Sequence, residues 1–148
     1  MTRPLAAVVA LLLLAGPAAA AAAAADKVHH VVIQVDEADP ARMNLALNNA
    51  VNIVKRFQER LEDVQVRIVT FGPGVAMVRA RTSPVELRVQ AVISSVPEIT
   101  FDVCDNTLKA LKAAEGMDIP IIDKVKHVDS GAATIVDLEE AGWSYVRP

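Results

Sequence analysis

Three short runs dense in β-branched residues, 28–35, 64–71 and 99–104, are separated by longer stretches of helical periodicity. Their apolar residues fall at adjacent rather than strictly alternating positions, the pattern of strands buried on both faces of a parallel sheet. Between the first two runs, Met43, Leu47, Ala50, Val51, Val54, Phe57 and Leu61 recur at helical spacing. Asp39 stands as a cap with Pro40 at the first helical position, so a helix is predicted over 40–62.

The second run ends at Phe71-Gly72-Pro73-Gly74, a turn sequence, and a short apolar segment follows over 75–78. Ser83-Pro84 opens a second helix whose inward face is Val85, Leu87, Val89, Val92 and Ile93, and Pro97 ends it. After the third run, Asp105-Asn106-Thr107 is expected to cap a third helix reaching Gly116. An apolar stretch over 119–122, a strand-like 124–128, a break at Ser130-Gly131, a helix over 132–141 and a strand over 143–146 complete the chain. Regular alternation of strand and helix predicts an α/β three-layer sandwich with a mostly parallel sheet, in one domain over residues 26–148.

The 53% hydrophobic content of the 148 residues overstates the core, because residues 1–25 hold an apolar run and then an alanine tract. Arg3 forms a short positive n-region, residues 5–14 an apolar h-region, and Gly16-Pro17 precedes small residues ending at Ala25. This is the outline of a secretory signal peptide, expected to be cleaved near Ala25. The product is then expected in an exported compartment, the periplasm, with no membrane anchor once cleaved. The net charge of −3 excludes a basic nucleic-acid binder, and losing Arg3 makes the chain more acidic. With one cysteine the chain forms no internal disulfide.

Open parallel sheets place ligands outside the carboxyl ends of their strands. Asp36-Glu37, Phe71-Gly72-Pro73-Gly74 and Val103-Cys104-Asp105-Asn106-Thr107 converge there. Cys104 falls where a strand gives way to a helix, so the N–H groups of Asn106, Thr107 and Leu108 are placed to face its sulfur and favour the thiolate. Asp105, if it points inward, opposes that, and a lone cysteine is also an ordinary small core residue. Gly72 and Gly74 suit a tight strand exit better than a nucleotide cradle, since Pro73 removes a donor and no Lys-Ser/Thr follows. His29 and His30 are adjacent, so on a strand they point to opposite faces. With His127 far off, no metal site and no cofactor are expected. A cysteine hydrolase pairing Cys104 with His127 is open on sequence alone.

The segments Asn44-Leu45-Ala46-Leu47-Asn48-Asn49-Ala50-Val51-Asn52, Phe71-Gly72-Pro73-Gly74, Cys104-Asp105-Asn106-Thr107, Ser130-Gly131 and Gly142-Trp143-Ser144-Tyr145-Val146-Arg147-Pro148, taken in order, resemble the DsrE/DsrF-like family. The resemblance implies flavodoxin-like layering and homo-oligomers, commonly trimers or hexamers. It also implies sulfur relay, with Cys104 matching the cysteine that some relatives carry as a persulfide and with a sulfur donor or acceptor protein as partner. Asp105 stands where the family often has glycine. Asp105, Asn106, Thr107, Gly72, Gly74 and Asp36 would form the supporting loops. The other class of function consistent with these residues is a non-catalytic oligomeric module that binds a small ligand or protein, with Cys104 structural.

Overall fold

The computed structural model describes residues 28–148. The expected signal peptide, residues 1–25, lies outside the described residues. Ten elements follow in order: β1 (His29–Val35), α1 (Pro40–Gln58), β2 (Val64–Thr70), a 3-10 helix (Gly72–Val78), α2 (Glu86–Ser95), β3 (Ile99–Cys104), α3 (Asp105–Glu115), β4 (Lys126–Val128), α4 (Gly131–Glu140) and β5 (Ser144–Val146). The five strands form one sheet in the order β4-β3-β2-β1-β5, and every pairing is parallel. The predicted α/β sandwich with flavodoxin-like layering is the fold observed.

The strand order explains the layers. Steps from β1 to β2, β3 and β4 all travel one way, so crossovers of the same hand place their helices on the same face. The return from β4 to β5, across the whole sheet, runs through α4 on the other face. The first face holds most of the core: Val31, Ile33, Val66, Ile68, Phe101 and Val103 pack against Met43, Leu47, Ala50 and Val54 of α1, Val75 and Met77 of the 3-10 helix, and Val89 of α2. The second face has a smaller cluster, in which Val32 and Val69 meet Ile135 and Leu138 of α4, with Phe71 and Trp143 alongside.

Several boundaries differ from expectation for local reasons. Helix α1 ends at Gln58 rather than 62 because the chain reverses through Leu61, which adopts φ +56° and is 97% exposed. Its helical spacing in the sequence is therefore not a buried face. The amides of Glu59 to Glu62 bond back to the carbonyls of Lys55, Phe57 and Gln58 and close the helix. The segment 75–78 is part of the 3-10 helix, whose Gly74, Val75, Met77 and Val78 are all buried. Ser83-Pro84 forms a turn before α2, with the Ser83 hydroxyl donating to Met77 O at 2.6 Å and accepting from Val85 N at 3.2 Å. Strand β4 is reduced to three residues, Ile121 instead making an isolated antiparallel bridge to Arg79.

Two caps are as expected: Asp39 Oδ1 accepts from Ala41 N at 2.9 Å, and Ser130 Oγ accepts from Ala133 N at 3.4 Å. Helix α3 departs from the expected cap, because Cys104 itself occupies the cap position and Asp105 is the first helical residue. The paired histidines do face apart. His29 stacks on Phe57 with ring centroids 4.0 Å apart, whereas His30 lies against Trp143.

Gly74 fixes how closely the layers meet. A Cβ there would stand 2.1 Å from Val35 O and 2.5 Å from Val35 C, both backbone atoms that cannot swing aside. Gly74→Ala is therefore expected to cost about 3 kcal/mol, the upper range for overpacking, as a lowered midpoint in urea unfolding with unchanged slope.

Candidate functional site

Because the sheet is wholly parallel, the carboxyl ends of β1, β2 and β3 lie along one edge, and the turns that leave them touch. Phe71 N donates to Val35 O at 3.2 Å, joining the exits of β1 and β2. Gly72, at φ +52°, donates its N–H to Thr107 Oγ1 at 3.0 Å, joining the exit of β2 to the first turn of α3. The predicted meeting of the glycine turn with the cysteine segment is present, and Thr107 makes it.

Cys104 ends β3 and caps α3, and is 5% exposed. Its neighbours on β3 alternate faces, so its side chain turns to the α4 side. Burial pushes the thiol pKa up, but the Thr107 hydroxyl and the nearby N–H groups of Gly131, Thr107 and, least, Asn106, which itself donates to Asp129 O at 3.2 Å, bring the net value below that of an ordinary thiol. Two helix starts thus meet at one atom: Asn106 and Thr107 belong to the first turn of α3, and Gly131 opens α4. Both present positive dipole ends to the thiolate. When protonated, Sγ has the Asp129 carbonyl as a weak acceptor at 3.9 Å.

The N–H of Gly131 was not expected from the sequence, where Ser130-Gly131 reads as a plain helix start. Its necessity lies in packing: a Cβ on Gly131 would come 2.8 Å from Phe71 Cβ and 2.9 Å from Phe71 Cδ1. Glycine lets α4 begin against Phe71, and that contact brings its first amide to the sulfur. Leu108, expected to contribute an N–H, is not among the groups that act on the thiol.

Asp105 does not oppose the thiolate as its position suggested it could. Its Oδ1 is held by His127 Nδ1 at 2.6 Å. The register pairs His127 with Val103 and Val128 with Cys104, so His127 shares the face of Val103, opposite the sulfur. A Cys104–His127 hydrolase pair therefore lacks its geometry. Asp36 also stands apart from the thiol, paired to Arg147 at 3.4 Å in the C-terminal tail. That tail is further held by Tyr145 Oη donating to Gln34 Oε1 at 2.6 Å and by Arg42 donating to the Pro148 carbonyl. Asn48, of undecided role in the sequence, accepts from Arg88 of α2 at 2.8 Å and so ties two helices. Among the described residues no group of three or more His, Cys, Asp and Glu side chains is placed to hold a metal ion.

One residue near the site went unnoticed in the sequence. Asp102, two positions before Cys104 and on the same face, is wholly buried. Its Oδ2 accepts from Arg67 Nε and lies 2.7 Å from Nη2, while Oδ1 has no partner. Burial raises its pKa, against the attraction of Arg67 and, more weakly, Lys126. The folded protein thus holds the Asp102 proton at pH values where the unfolded chain has lost it. The stability this confers is full below the unfolded pKa and is lost as pH rises through the raised folded value. Urea unfolding across that window should show stability falling with pH, and Asp102→Asn should flatten the fall.

For the thiol, Thr107→Val removes the nearest hydroxyl donor. The pH midpoint of Cys104 alkylation should move upward toward the ordinary thiol range, with the unfolding free energy lowered by about 2 kcal/mol for the lost bonds to Gly72 N and toward the sulfur. An unmoved alkylation midpoint would show that Thr107 does not tune the sulfur.

The solved structure of the protein of unknown function MTH1491 from Methanobacterium thermoautotrophicum is similar to this chain, with a TM-score of 0.67 and 32% sequence identity over 81% of this chain and 99% of that one. No protein-family model matches the chain, and no curated protein does.

Proposed function

This chain belongs to the family of MTH1491; from the surroundings of its thiol and the resemblance of its motifs we propose that it is a DsrE/DsrF-like sulfur carrier, exported by its leader, that holds sulfane sulfur as a persulfide on Cys104. The feature that carries this reading is the setting of the sulfur between two helix starts, where the Thr107 hydroxyl and the nearby N–H groups of Gly131 and Thr107 bring its pKa below that of an ordinary thiol despite burial. A structural core cysteine needs none of them. A sulfur nucleophile needs its thiolate, and the same groups stabilise Cys104 as the leaving thiolate when the sulfur is passed on.

The step is exchange at sulfur. The Cys104 thiolate attacks the outer sulfur of a small persulfide, R–S–SH. A bond forms between Cys104 Sγ and that sulfur, the donor S–S bond breaks, and its electron pair leaves on the thiolate RS⁻. The outer sulfur keeps its proton. In the second half an acceptor thiolate attacks the outer sulfur of Cys104–S–SH and returns Cys104 as a thiolate. No net oxidant is needed in either half. With Cys104 at 5% exposure, a small donor reaches the sulfur more readily than a folded protein does. Assembly into homo-oligomers, trimers or hexamers by family resemblance, belongs to the same proposal.

Low exposure also favours the second reading, a binding module with a structural thiol. One experiment separates the two. Native protein treated with polysulfide should gain added sulfur by intact mass, reversibly on reduction, and Cys104→Ser should gain none while unfolding at the same urea concentration. Absence of the adduct on folded protein, with normal alkylation once denatured, would reject the carrier and leave the module.

A further inference from the structure

A parallel sheet ordinarily has helices over both faces, yet among the described residues α4 is the one helix on the second face, packed on Val32 and Val69. On the amino half the sheet presents polar side chains toward an open concavity of about 650 Å³. Glu98, just before β3, and Thr100 on it share this face, with Arg67 beside Thr100 on β2 and Lys126 beside Asp102 on β4; Glu98 Oε1 accepts from Gln58 Nε2 at 2.8 Å. Trp143 forms a flat side wall, under the Arg67 guanidinium at 5.8 Å from its ring centroid.

The charges are sorted by position. Arg67 stands midway along β2, and Lys126 opens the edge strand β4. Arg67 gives Nε and Nη2 to the buried Asp102, which fixes the guanidinium and leaves Nη1 without a hydrogen bond among the described residues. Lys126 makes no ion pair among them. At the amino-terminal rim stand Glu98 and Asp63, and Asp63 likewise has no ion pair among the described residues. Glu98 lies two residues from the Arg67 row and four from the Lys126 row, roughly 7 and 13 Å along a strand.

We propose that this concavity binds a short zwitterionic peptide, its carboxylate on Arg67 and Lys126, its ammonium at Glu98 and Asp63, and its backbone along the Trp143 ring. A simple anion would meet the acidic rim, and a simple cation the guanidinium and ammonium. An extended tripeptide spans about 10 Å, which matches the separation of the two poles. A second copy of the chain fits less well, because the cores of subunit contacts are depleted in charge, whereas five charged side chains, Glu62, Asp63, Arg67, Glu98 and Lys126, line this wall. The site is independent of Cys104.

The test uses the emission of Trp143, the sole tryptophan, with calorimetry on the same samples. Titration with unblocked trialanine should give a saturable emission change and measurable heat. N-acetylated and C-amidated trialanine should each bind at least several-fold more weakly. Lys126→Gln, an exposed substitution that breaks no ion pair seen here, should weaken trialanine roughly fivefold, about 1 kcal/mol, while the variant still unfolds cooperatively. Cys104→Ser should bind trialanine as the parent does, so that failure here and failure of sulfur loading are read separately. No heat and no emission change, or equal binding of the blocked peptides, would overturn the proposal. So would an emission that varies with protein concentration in step with sedimentation while trialanine fails to bind, an outcome that assigns the face to a subunit contact.

Discussion

The parallel sense of every strand pairing is the constraint from which the rest of this structure follows. Parallel neighbours cannot be joined by hairpins, so each connection must cross the sheet on one face or the other, and every carboxyl end arrives at the same edge. The exits of β1, β2 and β3 are thereby forced together, and the chain must satisfy their backbone groups in a small space. Phe71 N on Val35 O and Gly72 N on Thr107 Oγ1 are two solutions to that accounting. The second has a chemical consequence. A threonine hydroxyl that accepts from a fixed backbone N–H is polarised and oriented as a donor, and its proton goes toward Cys104.

Glycine sets the distances on which this edge depends. Gly74 permits the 3-10 helix to lie on the backbone at the end of β1, and Gly131 permits α4 to start against Phe71. Neither requirement is a matter of positive φ; both are close approaches in which a methyl group would meet atoms at under 3 Å. Close approach at Gly131 is also what delivers an amide from the opposite layer to the sulfur. The thiol environment is therefore a product of layer packing as much as of the local strand-to-helix turn.

This division explains what the sequence revealed. Strand and helix order was legible because buried parallel strands carry dense β-branched runs and α1 carries a long apolar period, features local to each segment. Cys104 was legible as a strand-end residue for the same reason. The amide of Gly131, the role of Thr107 as a bridge and the removal of Asp105 by His127 were not, since each depends on residues 22 or more positions apart meeting across layers. Helix α1 was overextended because Leu61 mimics its period while standing in solvent. The carboxylate of Asp102 was hidden differently: within ITFDVC its burial follows only from α4 lying over that face.

Asp102 also shows why the two halves of the second face differ in character. A carboxylate with no exposed surface and one unpaired oxygen is costly, and breaking a buried pair by removing its cation costs about 3–5 kcal/mol. Arg67 must therefore stay bonded to Asp102, and an arginine so held cannot be covered by an apolar helix without stranding its remaining donor. Extending α4 over the amino half would bury Arg67 Nη1 and the Lys126 ammonium together. The open, polar half is thus the consequence of placing an acid in the strand that ends at Cys104. One helix suffices where Val32 and Val69 give it apolar ground, and the charged ground beside them is left to water or to a ligand with charges of its own.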